Sequence, residues 1–242
     1  MFKKSLQFLL LLTVMIAPWG VKGQTLTVYR GDDASTYVPV IGYYTDNYGK
    51  CEFVMSADSL TDMNSKVISK MKFNITAIGS YGTGWNTGTF QVFMKEINAS
   101  TISAYQGTTD ATIVYEGSFA NPAVGDYEIT FTNEYEYQGG NLLIGIYRTA
   151  KGNYKDATFK GKTVTGASLA NYNSSSLASV SATQRNFVPK TTFTYHEPPT
   201  CPKPTNLHAN LTEGNGAIAT LVWTETGTAS NWCLHLRFVQ RD

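Results

Sequence analysis

Residues 142–147 form a short segment that is apolar at nearly every consecutive position and follows the turn signal Gly139-Gly140-Asn141. A glycine-rich turn followed by such a run predicts a β-strand that is covered on both of its faces. We therefore expect this segment to be the central strand of a sandwich of packed sheets. Gly145 would keep one position of the strand narrow, so that the opposite layer can pack closely.

Most of the chain alternates apolar and polar residues with a period of two, as half-buried strands do. The alternation is cleanest where Tyr127, Ile129 and Phe131 are separated by polar residues. A helical turn is predicted at 56–63, where Asp58 and Ser59 are potential caps. We expect an all-β fold, an antiparallel β-sandwich of the jelly-roll type. Its predicted strands are 25–29, 37–44, 51–55, 67–75, 89–97, 113–119, 126–132, 142–147, 157–160 and 187–195.

The first 23 residues resemble an export signal. Lys3 and Lys4 precede an apolar run over residues 8–17, and Val21 and Gly23 place small residues before a cleavage point at Gln24. The alternative is a membrane anchor, but the run is shorter than the ~20 apolar residues that a spanning helix needs. We therefore expect an exported protein without a membrane span after the signal is removed.

Four prolines within residues 196–204 mark a linker, because proline cannot continue a hydrogen-bonded ladder. The β-sandwich domain is accordingly predicted to span residues 24–195. Beyond the linker, residues 205–242 contain three further predicted strands at 206–211, 217–223 and 232–238. Three strands are too few to close a sandwich, so this second unit is expected to be truncated.

Two resemblances to known families follow from these segments. Residues 201–207, 219–223 and Asn231-Trp232 resemble the opening strands of a fibronectin type III domain, with Trp223 as its core tryptophan. Residues 37–44, 90–96, 137–144 and 184–193 resemble β-sandwich modules at the start of surface and secreted proteins of Bacteroides-type gut bacteria. Such modules occur in adhesins or beside peptidase and glycosidase domains. The resemblance implies no catalytic residues.

Charge and histidine content argue against two function classes. The formal net charge of +1 disfavours nucleic acid as a partner. The three histidines, His196, His208 and His235, fall outside the sandwich domain, so a nucleophile–histidine arrangement is not expected there. Glu96, Glu116 and Glu128 are candidates for a glycosidase pair, but their scattered positions are typical of solvated strand faces. We therefore expect no enzyme activity and no cofactor.

The loop at 81–88 is the strongest candidate for ligand binding in the sequence. Trp85 could stack on a sugar ring while Asn86 hydrogen-bonds its hydroxyls, with Tyr81 beside them. The alternative is that Trp85 folds back and caps the edge of the sandwich. Tyr43, Tyr44 and Tyr48 form a second aromatic group, for which burial or packing at the rim is the alternative. Tyr154 and Tyr172, in long polar loops, are the remaining exposed candidates.

Metal and disulfide signals are weak. Asp32 and Asp33 after Gly31 could contribute to a calcium site, but an Asp pair after a strand is more often a turn, and no metal is expected. Cys51 is predicted to be a small buried residue. Cys201 and Cys233 could pair with each other or with partners elsewhere, and no cysteine spacing suggests zinc.

Together these features predict a non-catalytic exported binding module at a bacterial surface. It would be adhesin-like or glycan-binding, with a glycan or a host or bacterial surface protein as partner. The alternative is a structural module, without a ligand of its own, in a larger secreted peptidase or glycosidase.

Overall fold

The computed structural model describes residues 23–41 and 46–198, together with the strands at 205–212 and 218–224. The described chain is almost entirely β-structure, and its strands pair antiparallel throughout. Two sheets of seven and five strands pack face to face, which confirms the predicted all-β antiparallel sandwich. No helix among these residues is long and apolar enough to cross a membrane.

The strands in chain order are β1 (Gln24–Val28), β2 (Asp33–Ser35), β3 (Tyr48–Met55), β4 (Lys66–Gly82), β5 (Thr89–Ile97), β6 (Thr112–Gly117), β7 (Gly125–Tyr137), β8 (Asn141–Ala150), β9 (Lys155–Thr163), β10 (Ser168–Asn173), β11 (Phe187–Pro189), β12 (Thr191–His196), β13 (Thr205–Thr212) and β14 (Ile218–Thr224). Two short 3₁₀ turns, Ala57–Ser59 and Thr61–Met63, lie between β3 and β4.

The strand order is that of a jelly roll. The five-stranded sheet runs β10-β3-β8-β5-β6, and the seven-stranded sheet contains the row β1-β12-β4, with β7 on the other side of β4. Consecutive strands mostly alternate between the two sheets, as the two Greek keys of a jelly roll require. Strands β2, β9 and β11 extend the seven-stranded sheet.

Strand β8 is central, as the sequence predicts. It lies between β3 and β5, and both of its faces are buried. Ile144 and Ile146 face the main core between the sheets, whereas Leu143 belongs to a second cluster on the outer face. A Cβ at Gly145 would lie 2.0 Å from Phe93 Cζ. The space for a side chain at position 145 is therefore limited by the ring of Phe93 on the neighbouring strand β5, and not by the opposite sheet.

The outer face of the five-stranded sheet is partly covered by loops. Its cluster of buried residues contains Val54, Phe93, Ile102, Leu143, Tyr147 and Leu169. The segments 98–111 and 174–186 run over this face and contribute apolar side chains such as Tyr105 and Leu177. The outer face of this sheet is therefore less solvated than that of an ordinary half-buried sheet, and a gap remains between the two covering segments.

Several local predictions are wrong. Residues 37–40 form bends and Ile41 is irregular, although Val38, Val40 and Ile41 are buried, because Pro39 has no N–H to donate to a ladder. Residues 42–44 lie outside the described part. The segment predicted as one strand at 187–195 divides at Lys190 into β11, which pairs with β9, and β12, which pairs with β4.

The predicted helical turn at 56–63 consists of the two 3₁₀ turns. Asp58 and Ser59 lie within the first of them and cannot cap it, and the capping position is Ser56, whose side chain makes no capping hydrogen bond. The backbone N–H of Ser56 donates a hydrogen bond to the hydroxyl oxygen of Tyr29 at 2.8 Å.

Strands β13 and β14 pair with each other in a separate two-stranded sheet, as the predicted strands 206–211 and 217–223 require. The linker residues 199–204 and the predicted strand 232–238 lie outside the described residues, and so do Cys201 and Cys233. The predicted fibronectin-like character of this unit stays a prediction.

Candidate ligand-binding groove

Trp85 is not available for a ligand, because its side chain is fully buried. The indole stacks on Phe159 at a centroid distance of 6.2 Å and meets Tyr127 edge-on at 5.6 Å. Its Nε1–H donates to the carbonyl oxygen of Lys155 at 2.8 Å. The structure corrects the prediction that this ring stacks on a sugar, and it agrees with the alternative that Trp85 folds back into the sandwich.

The other residues of that prediction belong to different elements and have different partners. Tyr81, at the end of β4 in the seven-stranded sheet, is 79% exposed. Asn86 is also exposed, and its backbone N–H donates to Asn121 Oδ1 at 3.2 Å. Tyr48 begins β3 in the five-stranded sheet, with the Lys151 ammonium 5.5 Å from its ring centroid. Tyr43 and Tyr44 lie outside the described residues, so their role stays a prediction.

The two aspartates proposed for calcium are engaged separately. Asp32 forms an ion pair with Lys160 at 2.5 Å, and Asp33 Oδ2 accepts the backbone N–H of Thr163 at 2.7 Å. Within the described part of the chain, no cluster of acidic, histidine or cysteine side chains could hold a metal ion. The turn interpretation of Gly31-Asp32-Asp33 fits these contacts.

A row of three side chains across the five-stranded sheet forms the floor of a groove on its outer face. Lys50 of β3 is paired with Tyr147 of β8, which is paired in turn with Gln91 of β5. Because adjacent strands lie about 4.8 Å apart, the three side chains stand side by side on one face. The groove has a volume of about 520 Å³ and is walled by residues 105–108 and 177–178. We call it the Tyr105 groove.

The aromatic side chains of the groove present ring faces and use their hydroxyls internally. The hydroxyl of Tyr147 donates to Glu52, and that of Tyr105 donates to the carbonyl oxygen of Lys50 at 3.2 Å. Burial chiefly raises the pKa of Tyr105 above its ordinary value of 10.0, so the hydroxyl stays protonated. Tyr147 is buried beneath the groove, whereas Tyr105 is half-buried and is the ring that a ligand can reach.

Lys50 supplies the positive charge of the groove. Its ammonium lies 5.4 Å from the ring centroids of both Tyr105 and Tyr147. These cation–π contacts hold the ammonium in place, and no carboxylate among the described residues forms an ion pair with it. Its N–H groups are therefore free to donate to a ligand or to water.

Two oppositely charged side chains of the five-stranded sheet hold the first wall of the groove, residues 105–108, in place. The buried carboxylate of Glu52 accepts the backbone N–H groups of Gln106 at 2.7 Å and Gly107 at 2.9 Å. The ammonium of Lys95 donates to the carbonyl oxygens of Gln106 at 2.9 Å and Thr109 at 3.2 Å. Hydrogen bonds to charged groups are stronger than those between neutral partners, so this loop is held rigidly.

The second wall is fixed by short polar side chains. Asn171 donates to Ser181 Oγ at 3.0 Å and to Thr183 Oγ1 at 2.9 Å, and Asn173 Oδ1 accepts the backbone N–H of Ser175 at 2.7 Å. The hydroxyl of Tyr105 joins the two walls, because it also lies 3.4 Å from the carbonyl oxygen of Ser181. Hydrogen bonds within the chain thus hold both walls of the groove in place.

The chemistry of the groove suits a hydroxyl-rich ligand. The Gln91 amide and the Thr108 hydroxyl offer both donors and acceptors, Lys50 offers donors, and Tyr105 offers an apolar ring. A few polar groups beside a ring face are the usual means of fixing a small ligand's orientation.

Only part of the arrangement of the Tyr105 groove could be predicted from the sequence. Gln91 is an outward polar residue of an alternating strand, but its alignment with Lys50 and Tyr147 depends on the register of three strands, which the pattern of one strand does not contain. Tyr105 lies in a polar loop without a period and carries the same weak signal as Tyr154 and Tyr172, namely a single aromatic residue among polar neighbours.

Comparison with known proteins identifies no family. No protein-family model and no curated protein matches the chain. A solved structure with some similarity is that of the cysteine protease and lectin-like domains of Cwp84, a surface layer associated protein of Clostridium difficile. The identity is 11% and the TM-score 0.36, over 63% of this chain and 33% of that one. The chain thus spans about a third of that structure, and a likeness at this score carries no argument about function.

Proposed function

We propose that this protein is a non-catalytic, exported binding module whose Tyr105 groove holds a saccharide. The observation that carries the proposal is the row Lys50–Tyr147–Gln91, which forms the floor of a groove between two anchored loops beside the half-buried ring of Tyr105. Export is supported by the signal-like residues 1–23, and a bacterial surface location by the resemblance to Bacteroides-type surface modules.

A saccharide fits this groove better than an apolar ligand or a nucleic acid. Apolar ligands favour pockets lined mostly by hydrophobic side chains, whereas this lining combines the Tyr105 ring, Leu177 and Ala178 with an ammonium, amides and a hydroxyl. A nucleic acid would require several cations along its backbone, and Lys50 is the one cation in the lining. The preformed walls mean that little ordering entropy is lost when a ligand binds.

The proposal is tested by isothermal titration of the full chain against a panel of neutral and acidic oligosaccharides. We expect Gln91→Ala and Tyr105→Ala each to weaken binding about tenfold, because each removes one specific contact. Tyr81→Ala is the matched control, since it removes an exposed tyrosine from the site that the sequence predicted. Circular dichroism of each variant establishes that it is folded.

The titrations of these variants have three possible outcomes. Loss of binding in the groove variants together with an unchanged Tyr81→Ala supports the Tyr105 groove. Loss in Tyr81→Ala alone overturns it in favour of the loop at 81–88. If no saccharide in the panel produces heat, the proposal fails. The alternative function, a structural module of a larger secreted enzyme, then becomes the better account, and it is favoured by the internal use of both tyrosine hydroxyls.

A further inference from the structure

A second groove lies on the other outer face of the sandwich and has a different character. It has a volume of about 360 Å³ and crosses the seven-stranded sheet. Its floor includes the cross-strand row Thr27–Thr192–Lys72 on β1, β12 and β4. The charged residues that line it are Arg30, Lys72, Lys160, Lys190, Asp32 and Asp126. We call it the cationic groove.

The charges of this groove do not cancel. Lys72 forms an ion pair with Asp126 at 2.8 Å, and Lys160 forms one with Asp32 at 2.5 Å. Lys190 has no ion-pair partner among the described residues. The lining therefore has a formal charge of +2, although the whole chain carries +1.

Lys190 lines the groove together with the residues of both ion pairs. The pKa of Asp32 is lowered chiefly by its hydrogen bond to Lys160, and that of Asp126 chiefly by its hydrogen bond to Lys72. The charge of Lys190 contributes to lowering both pKa values, and Lys190 forms no ion pair with either carboxylate. Both carboxylates are ionised at neutral pH, and the excess positive charge belongs to Lys190 and Arg30.

Arg30 adds planar donors at the same groove. Its Nε–H donates to the carbonyl oxygen of Thr27 at 3.1 Å, which fixes the start of the side chain and leaves the terminal nitrogens of the guanidinium for other partners. A guanidinium and an ammonium together suit an oxyanion, the first by its two parallel N–H groups and the second as a point charge. Two acidic residues adjoin the groove: Glu128, which is opposite Lys72 on β7, is paired with Lys70 at 3.0 Å, and Asp33 accepts the backbone N–H of Thr163 at 2.7 Å.

We infer that the cationic groove binds an oxyanion, such as the sulfate or carboxylate group of an acidic saccharide, between Arg30 and Lys190. The ion pairs of Lys72 and Lys160 hold the surrounding side chains, while the two uncommitted cations make the contacts. This inference is independent of the Tyr105 groove, which lies on the opposite face of the sandwich.

The test uses the full chain at low ionic strength with four probes: sodium sulfate, sodium acetate, a sulfated oligosaccharide, and a neutral oligosaccharide of the same length. We expect at least one of the anionic probes to bind, the neutral one not to bind here, and affinity to fall as sodium chloride is added. Chemical shifts of the Thr192 and Lys190 amides locate the site.

The double variant Arg30→Gln/Lys190→Gln should weaken anion binding at least about tenfold, because it removes charge-assisted hydrogen bonds. The matched control is Lys151→Gln/Lys162→Gln, which removes the same charge from exposed residues outside the groove lining.

Binding of sulfate or acetate alone identifies a small oxyanion as the ligand, and binding of the sulfated oligosaccharide identifies a saccharide; both support the site. Equal losses in the two double variants, or no binding of any anion, would overturn it. Tyr105→Ala should leave this binding unchanged.

Discussion

Gly145 and Gly49 occupy interior positions of neighbouring strands, yet a methyl group would meet very different surroundings at the two. At Gly145 a Cβ would lie 2.0 Å from Cζ and 2.2 Å from Cε1 of Phe93. At Gly49 the nearest atom would be Ile41 Cδ1 at 3.7 Å, an ordinary van der Waals distance. Phe93 belongs to the cluster beneath the loops on the outer face, so its ring has little space into which it can move.

We predict that Gly145→Ala lowers the free energy of unfolding by about 1–3 kcal/mol, the usual cost of overpacking. Gly49→Ala should change it by less than about 1 kcal/mol. Urea denaturation of both variants measures the difference. The double variant Gly145→Ala/Phe93→Leu should recover part of the loss, since a smaller side chain leaves room for the methyl group. Equal stabilities for the two single variants would contradict the explanation.

At the scale of single elements, acidic residues of the five-stranded sheet act as anchors for loops. Glu52 on β3 accepts two backbone N–H groups of the first groove wall. Glu96 on β5 accepts those of Gln138 at 2.7 Å and Gly140 at 2.5 Å, which fixes the turn before β8. The strand pattern predicted Glu96 to be a solvated residue, but the pattern contains no information about the loop that folds over it.

We predict that Glu52→Gln destabilises the wall of the Tyr105 groove. The amide replaces one accepting oxygen by an NH₂ group that faces backbone donors, so a loss of about 1.5–3 kcal/mol is expected. Hydrogen exchange of the Gln106 and Gly107 amides should accelerate in this variant. Glu116→Gln, at an exposed position of the edge strand β6, is the control and should not change it. Unchanged exchange in Glu52→Gln would show that the loop is held by other contacts.

Elements were predictable where a strand contrasts a buried face with a polar one. Strand β7, with buried Tyr127, Ile129 and Phe131, has this contrast and was predicted from it. Strand β2 is only three residues long and polar, and β10 mixes both kinds of residue, so neither showed a period of two. At residues 37–41 a strand was predicted and none is present, because Val38 and Val40 are buried without joining a ladder of backbone hydrogen bonds.

At the scale of the whole molecule, one core carries two outer faces of different chemistry. The seven-stranded sheet presents ion pairs and free cations to solvent, whereas loops that contribute a few apolar side chains partly cover the five-stranded sheet on either side of the Lys50–Tyr147–Gln91 row. The fold class followed from composition and alternation. Neither groove did, because each requires side chains from three or more strands that are distant in the sequence, and their neighbours are set by strand order and register.

Cys51 provides a test of the core as a unit. Its side chain is buried between the sheets, and burial, together with the nearby charge of Glu52, raises the pKa of the thiol well above its ordinary value of 9.0. Because the thiolate is the reactive form, the folded protein should protect this cysteine from alkylation. In a Cys201→Ser/Cys233→Ser background, we predict that labelling of Cys51 follows the population of unfolded protein across a urea titration. Labelling in the native state at a rate independent of urea would mean that the two sheets separate locally at β3, contrary to a main core that unfolds as one unit.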